Sequence, residues 1–159
     1  MLDAAKTRVH GDYHLGQVLW ADGDYVIIDF EGEPTRTVGE RRAKFSPVRD
    51  VAGMMRSYHY AAYAGLFAYT RNRPADFARL RPWADLWCQW VSAAFLRAYL
   101  SAADGAAFVP RDPAAFAALL DRFTLAKALY ELVYELNNRP DWVRIPLSGV
   151  LALVSIPAG

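Results

Sequence analysis

A single cysteine, Cys88, means that no disulfide can form within the chain, and a reducing compartment is its natural home. Long apolar runs are missing too: the most apolar stretch, Ile145 to Ile156, falls far short of the ~20 residues that cross a bilayer. The opening residues, Met1-Leu2-Asp3-Ala4-Ala5-Lys6, lack the apolar segment of a secretory signal. Neither sign of charge is in excess. A formal net charge of +1 argues against a nucleic-acid footprint and against a polybasic membrane anchor. The three histidines show no H-x-x-x-H spacing, so a zinc site has no support. There is no internal repeat and no low-complexity segment. These exclusions leave a soluble cytoplasmic protein. With 54% apolar and 22% charged residues over 159 positions, it suits one domain with a real core. Aromatics are plentiful (nine Tyr, eight Phe, five Trp), and most are expected in that core, with sugar stacking as the other use.

The most informative run is His10-Gly11-Asp12-Tyr13-His14-Leu15-Gly16-Gln17. It has the form H-x-D-x-x-x-x-[NQ], and Ile27-Ile28-Asp29-Phe30-Glu31-Gly32 follows as an apolar strand ending in an acid. Kinases supply a catalytic carboxylate, a metal-binding amide and a metal-binding carboxylate in this order. Asp12 is then the catalytic candidate, positioning the acceptor hydroxyl; taken alone, it also reads as a turn residue after Gly11. Gln17 and Asp29 are the candidate ligands of Mg2+, which accepts a few hard oxygens beside phosphates. An acid ending an apolar strand is costly unless paired or metal-bound, which supports Asp29. Glu31 reads either as a further ligand on the same side or as a solvated loop acid. His10 belongs with the cofactor-binding group, more as a scaffold of the loop than as a proton shuttle. His14 reads as ordinary surface.

Gln17 to Trp20 and Tyr25 to Asp29 are β-prone runs on either side of Ala21-Asp22-Gly23-Asp24, and Asp-Gly is a strong hairpin signal. A turn centred on Gly23 pairs residues whose numbers sum to about 46 and sets Gln17 opposite Asp29, with Cβ atoms ~4.5–5.5 Å apart. A two-residue turn shifts that pairing by one. Residues 31–46 are polar and read as a loop. Ser46-Pro47 opens a helix to about Tyr69, with Val51, Met54, Met55, Tyr58, Ala62 and Leu66 as its core stripe. Arg49 and Asp50 brace its start. A second helix is expected over Trp83 to Ala102, preceded by a short helical turn from Ala75 to Leu80. Asp112-Pro113 starts a third, to about Leu136, and a final apolar helix follows Pro146. The prediction is an α+β chain: a small hairpin carrying the catalytic and metal-binding loops, then a mostly helical part.

Lys127, Tyr130, Glu131 and Tyr134 fall at i, i+3, i+4 and i+7 and share one helix face. A Lys–Glu pair beside two tyrosines can hydrogen-bond sugar hydroxyls while the rings stack on the sugar. The same four residues equally describe an i,i+4 salt bridge on a helix surface, and the sequence leaves both readings open.

These segments resemble the C-terminal lobe of bacterial maltokinases, members of the aminoglycoside-phosphotransferase-like kinase superfamily. The specific runs are His10 to Leu19 and Ile28-Asp29-Phe30-Glu31-Gly32-Glu33-Pro34. Glu40-Arg41-Arg42, Ser46 to Met54, Lys127-Ala128-Leu129-Tyr130-Glu131, Asn138-Arg139-Pro140-Asp141-Trp142 and Ile145-Pro146-Leu147 also match. The resemblance implies one kinase-like C-terminal lobe over residues 1–159 that phosphorylates maltose with ATP and Mg2+ to give maltose 1-phosphate, feeding α-glucan synthesis. It makes Asp12 catalytic and Gln17 and Asp29 metal-binding, and it places Lys127, Tyr130, Glu131 and Tyr134 at the sugar. Because the motif begins at residue 10, no N-terminal ATP-binding lobe is expected within the chain. A separate lobe of that kind, or a trehalose synthase domain to which the family occurs fused, is the expected partner, with little activity in its absence. The alternative is a non-catalytic interaction or oligomerisation module. A kinase for an amine-bearing acceptor, such as an aminoglycoside or a choline-like amine, ranks lower, because no acidic excess is evident.

Overall fold

In a computed structural model of the chain, residues 4–154 are described; Ser155 and Ile156, the end of the long apolar stretch, lie outside them. The chain begins with a loop whose Thr7 bridges to Phe45, then a 3-10 turn at Leu15–Gln17 and the hairpin β1 (Val18–Ala21) and β2 (Asp24–Ile27). Five helices follow: α1 (Val38–Arg42), α2 (Val48–Thr70), α3 (Asp76–Ala102), α4 (Pro113–Asn138) and α5 (Arg144–Val154), with a 3-10 turn at Pro140–Trp142 before the last. The architecture is the α+β one expected. No helix among the described residues is long and apolar enough to cross a membrane.

The hairpin register differs from the one expected. Asp22 and Gly23 both have positive φ, at 52° and 85°, the pattern of a two-residue type I′ turn. Val18 therefore pairs with Ile27 and Ala21 with Asp24, one residue off the pairing that set Gln17 against Asp29. Gln17 faces Ile28 instead, whose N–H donates to the Gln17 carbonyl at 3.0 Å.

Two helix boundaries also depart from expectation. The loop over 31–46 contains α1, opened by a capping box: the Thr37 hydroxyl accepts from the Glu40 N–H, and the Glu40 carboxylate accepts from the Thr37 N–H at 2.9 Å. The signal T-x-x-E was there, hidden by the surrounding charge. Ala75–Leu80 and Trp83–Ala102 form one helix, α3, running through Pro82. An internal proline costs ~3 kcal/mol; here Phe77, Leu80 and Ala84, on both sides of it, pack against the lower core.

α2 is the hub of the helical part. Its first half joins Val48, Val51 and Ala52 to Phe116 and Leu120 of α4. Its second half joins Tyr63 and Leu66 to Ile145 of α5. The stripe expected on α2 is present, with Val51, Met54 and Leu66 buried. Most aromatics, however, are not core. Trp20, Trp83, Trp87 and Trp90 are exposed, as are Tyr25 and Phe30, because none of the described residues covers the hairpin or the outer face of α3.

α2 also meets the catalytic loop, at Gly53. A Cβ there would sit 2.7 Å from the Tyr13 carbonyl oxygen, so only glycine allows this approach. Gly65, further along the same helix, has open space around its Cβ position. Gly65→Ala should stabilise by about 0.5–1 kcal/mol, the ordinary helix gain. Gly53→Ala should instead destabilise, since the loop must move. Urea unfolding of the two variants checks this, and an equal gain in both would remove the close contact from the account.

His59, in the middle of α2, stacks 4.7 Å from the Tyr63 ring, and its Nδ1 is buried without a partner. Burial, aided by repulsion from Arg56, holds its pKa down to about 3. The unfolded chain takes up this proton below pH ~6.5 and the folded chain does not. Stability should therefore be full above that pH and fall as pH drops toward 3, by at most about 1.4 kcal/mol per unit. Unfolding free energies at pH 7.5 and 5 should differ more for the wild type than for His59→Phe.

Candidate active site

Side chains of α2 fix the H-G-D loop, Asp50 above all. The Asp50 carboxylate accepts from the N–H groups of His10 (2.7 Å) and Gly11 (2.9 Å). Asp50 stands in the first turn of its own helix, as expected, and braces the loop as well. Its neighbour Arg49 donates to the Gly11 carbonyl at 3.3 Å. His10 is buried and joins the two motif loops: Nε2 donates to the Ile28 carbonyl at 2.8 Å, while Nδ1 faces the Asp12 N–H at 3.4 Å. Both ring nitrogens face backbone, so His10 ties the two motif loops together. His14 is more than surface: its Nδ1 accepts from the Gly16 N–H, and its Nε2 lies 3.7 Å from Asp12 Oδ2.

Gln17 and Asp29 meet although the strand register does not oppose them. Asp29 adopts a left-handed backbone, φ 61°, which ends the strand. Gln17 Nε2 donates to Asp29 Oδ2 at 2.8 Å. A non-glycine residue in this conformation stores strain of order 1–2 kcal/mol, and such residues concentrate at functional sites. The Gln17 side-chain oxygen Oε1 and the second Asp29 carboxylate oxygen remain for a cation. No group of three or more His, Cys, Asp or Glu side chains suited to a metal occurs among the described residues. One carboxylate and one amide fit Mg2+, which keeps water and phosphate oxygens as its other ligands.

Across a cleft of about 550 Å3, α4 faces these loops. Lys127 Nζ lies 3.2 Å from Asp12 Oδ1 and 3.5 Å from Glu33 Oε2, over the Tyr130 ring at 5.1 Å. Burial disfavours this ammonium, but Asp12 and Glu33 outweigh it and raise its pKa above the ordinary lysine value. The Tyr130 hydroxyl donates to Glu33 Oε1 at 3.0 Å. Glu131 pairs with the buried Arg56, Nε to Oε2 at 2.8 Å. Burial raises the Glu131 pKa, against the opposing pull of Arg56 and Lys127. Glu135, one turn on, is 1% exposed and accepts from the Tyr60 hydroxyl and from Arg139.

The structure thus gathers Asp12, Lys127 and Glu131 at one cleft, with Tyr130 in the wall of an adjoining cavity of about 170 Å3 that Asp12 and Lys127 also line, and Gln17 and Asp29 as a separate pair on the neighbouring loop. The salt bridge offered as the alternative for α4 is not made, since Lys127 binds Asp12 and Glu33 while Glu131 binds Arg56. Tyr134 lines the cleft, its ring 5.7 Å from the Arg139 guanidinium. Glu31 is exposed, and its backbone carbonyl, not its carboxylate, is engaged, by Arg41. The sequence reading missed Glu33, Asp50, Arg56 and Glu135. Arg56 had a signal, a lone charge within an apolar stripe that must find a buried partner. Glu135 had one as well, the repeat Tyr130-Glu131 and Tyr134-Glu135 on one helix face.

No family model matches the chain. The chain is 32% identical over 138 residues to a glucosamine kinase of Streptacidiphilus jiangxiensis, covering 87% of this chain and 29% of that protein. It is 33% identical over 147 residues to a glucosamine kinase of Mycolicibacterium smegmatis, covering 91% and 34%. It thus spans about a third of the length of the curated relatives it matches. A crystal structure of glucosamine kinase superposes with a TM-score of 0.70 at 30% identity, over 91% of this chain and 33% of that one. Another, in complex with glucosamine, ADP and inorganic phosphate, gives 0.67 at 31% identity, over 92% and 34%. The homologues are sugar kinases, and the fold is that of a kinase-like C-terminal lobe.

Proposed function

We propose that the chain is the catalytic, acceptor-binding lobe of a cytoplasmic kinase that moves the terminal phosphoryl group of ATP to a hydroxyl of a small amino sugar. The observation that carries this reading is the cleft itself, where Asp12 of the H-G-D loop and Lys127 of α4 are 3.2 Å apart. Phosphoryl transfer depends on alignment and charge neutralisation. Asp12 orients the acceptor hydroxyl and accepts its proton. Lys127 and His14 hold the Asp12 carboxylate in place. Gln17 and Asp29 hold Mg2+, which when bound neutralises the phosphate oxygens.

Four carboxylates line the cleft (Asp12, Glu33, Glu131 and Glu135) against the cations Lys127 and Arg139 in its wall and Arg56 paired to Glu131, which leaves one acid in excess. That local acidity, invisible in a net charge of +1, favours an amine-bearing sugar over maltose, and so revises the low rank given to such acceptors. Relatives named glucosamine kinase support the same choice. The exposed hairpin rings Trp20, Tyr25 and Phe30 support a partner lobe that completes the ATP site.

Calorimetric titration with glucosamine, glucose and maltose tests the acceptor. Glucosamine should bind at least about tenfold more tightly than glucose, and Glu33→Gln should weaken it. Preference for maltose would return the acceptor to a disaccharide; indifference to all three would end the sugar-kinase reading. When a nucleotide-binding lobe is supplied, Asp12→Asn should lower turnover about 100-fold or more.

A further inference from the structure

α3 is apolar on two sides. Its inner side packs toward α2: Phe77, Leu80 and Ala84 meet the Tyr63–Ile145 cluster, and Phe95, Leu96 and Tyr99 meet the Val48–Phe116 cluster. Its outer side carries Trp83, Leu86, Trp87 and Trp90, spaced i, i+3, i+4 and i+7, so the four share one face. Trp83 and Trp90 are about two-thirds exposed, Leu86 and Trp87 nearly half. From Leu86 to Leu96 the helix has no charged residue. A helix at the surface ordinarily turns a charged face to water, and one that is apolar all round is covered on all sides. None of the four side chains lines the acceptor cleft.

The stripe has the form of a pairing seam. Trp83, Leu86, Trp90 and Ala93 follow one another at three, four and three residues, the alternation by which one helix packs along another. Beside the seam stand Pro82, Trp87, Gln89 and Ala94, all uncharged, so two copies can meet across a twofold axis without opposing like charges along it. Arg79 and Arg97 lie beyond its two ends, Arg79 bonded to Asp76 of its own helix. At 150–250 Å2 for a whole aromatic side chain, the four present roughly 400–500 Å2 of surface. Two copies face to face would cover roughly 800–1,000 Å2 from these side chains, before Gln89, Ala93 and Ala94 are added, which reaches the ~1,000 Å2 of a specific interface. Tryptophan is also among the residues that contribute most at interface centres.

We propose that the outer face of α3 is a homodimer interface, on which Trp83, Leu86, Trp87 and Trp90 of one chain pack against the same stripe of a second copy. The surface lies away from the cleft, so association leaves the acceptor site open.

Sedimentation velocity of the 159-residue chain between about 0.1 and 100 μM tests this. The chain should pass from monomer to dimer within that range, and its tryptophan emission should move to shorter wavelength as the rings leave water. Trp90→Glu should weaken the dimer at least about thirtyfold. Ala93→Glu, which adds a charge to the seam at an exposed position, should weaken it as well. Far-ultraviolet circular dichroism checks that both variants keep their helices. Trp20→Lys, on the comparably exposed hairpin, should leave the dimer unchanged. A chain still monomeric at about 100 μM overturns the proposal and leaves the stripe to a different partner. A dimer that survives both glutamate variants, or that is lost in Trp20→Lys, overturns it too.

Discussion

Asp50 accepts from two consecutive backbone N–H groups, and the geometry of the cleft depends on that pair of hydrogen bonds. Only proline removes a backbone donor, so Asp50 is the replaceable side of these two bonds, with Arg49 holding the Gly11 carbonyl beside it. Through it the catalytic loop is fixed to α2, the helix that also carries the core and Arg56. From there order spreads outward: His10 fastens the end of β2, Gly53 lets the Tyr13 carbonyl settle on the helix, and Asp12 is delivered to Lys127. The same helix that organises the apolar interior thus sets the coordinates of the polar site.

The cleft is held by charges more than by shape. Lys127 has two carboxylate neighbours, and Glu131 and Glu135 each have an arginine. Paired this way the buried groups are tolerable; removing one member strands the other, at a cost of about 3–5 kcal/mol. The network also sets what the cleft offers an incoming ligand. A ligand that brought its own ammonium would compete for carboxylates that Lys127 now holds, whereas a neutral one would find them occupied.

Much of this was legible beforehand, where a local rule decides local structure. Ser46-Pro47 and Asp112-Pro113 marked helix starts because caps and proline act within one turn, and the Asp112 carboxylate does accept from the Ala114 N–H. The H-G-D and I-D-F-E-G-E-P runs both contribute residues to the cleft wall, Asp12 from the first and Glu33 and Pro34 from the second. Contacts that depend on tertiary approach were not legible. Gln17 and Asp29 were matched for the wrong reason: the strand register misses, and the left-handed turn at Asp29 brings them together. Glu33 sat inside a quoted motif, yet its role depends on α4, some ninety residues later in the chain. The burial of the aromatics was overestimated because composition reports how many rings there are, not whether anything covers them.

That exposure has a spectroscopic consequence. Four of the five indoles (Trp20, Trp83, Trp87 and Trp90) face solvent in the folded chain, at 64%, 67%, 47% and 68% exposure. Their emission therefore changes little when the chain unfolds. Trp142 differs: it lies edge-on to Phe67 and beneath the Arg139 guanidinium, which also binds Glu135 in the cleft. The fluorescence of this molecule is thus dominated by rings that say almost nothing about its folding, while one indole near the last helix carries both the state of the core and the charge of the cleft.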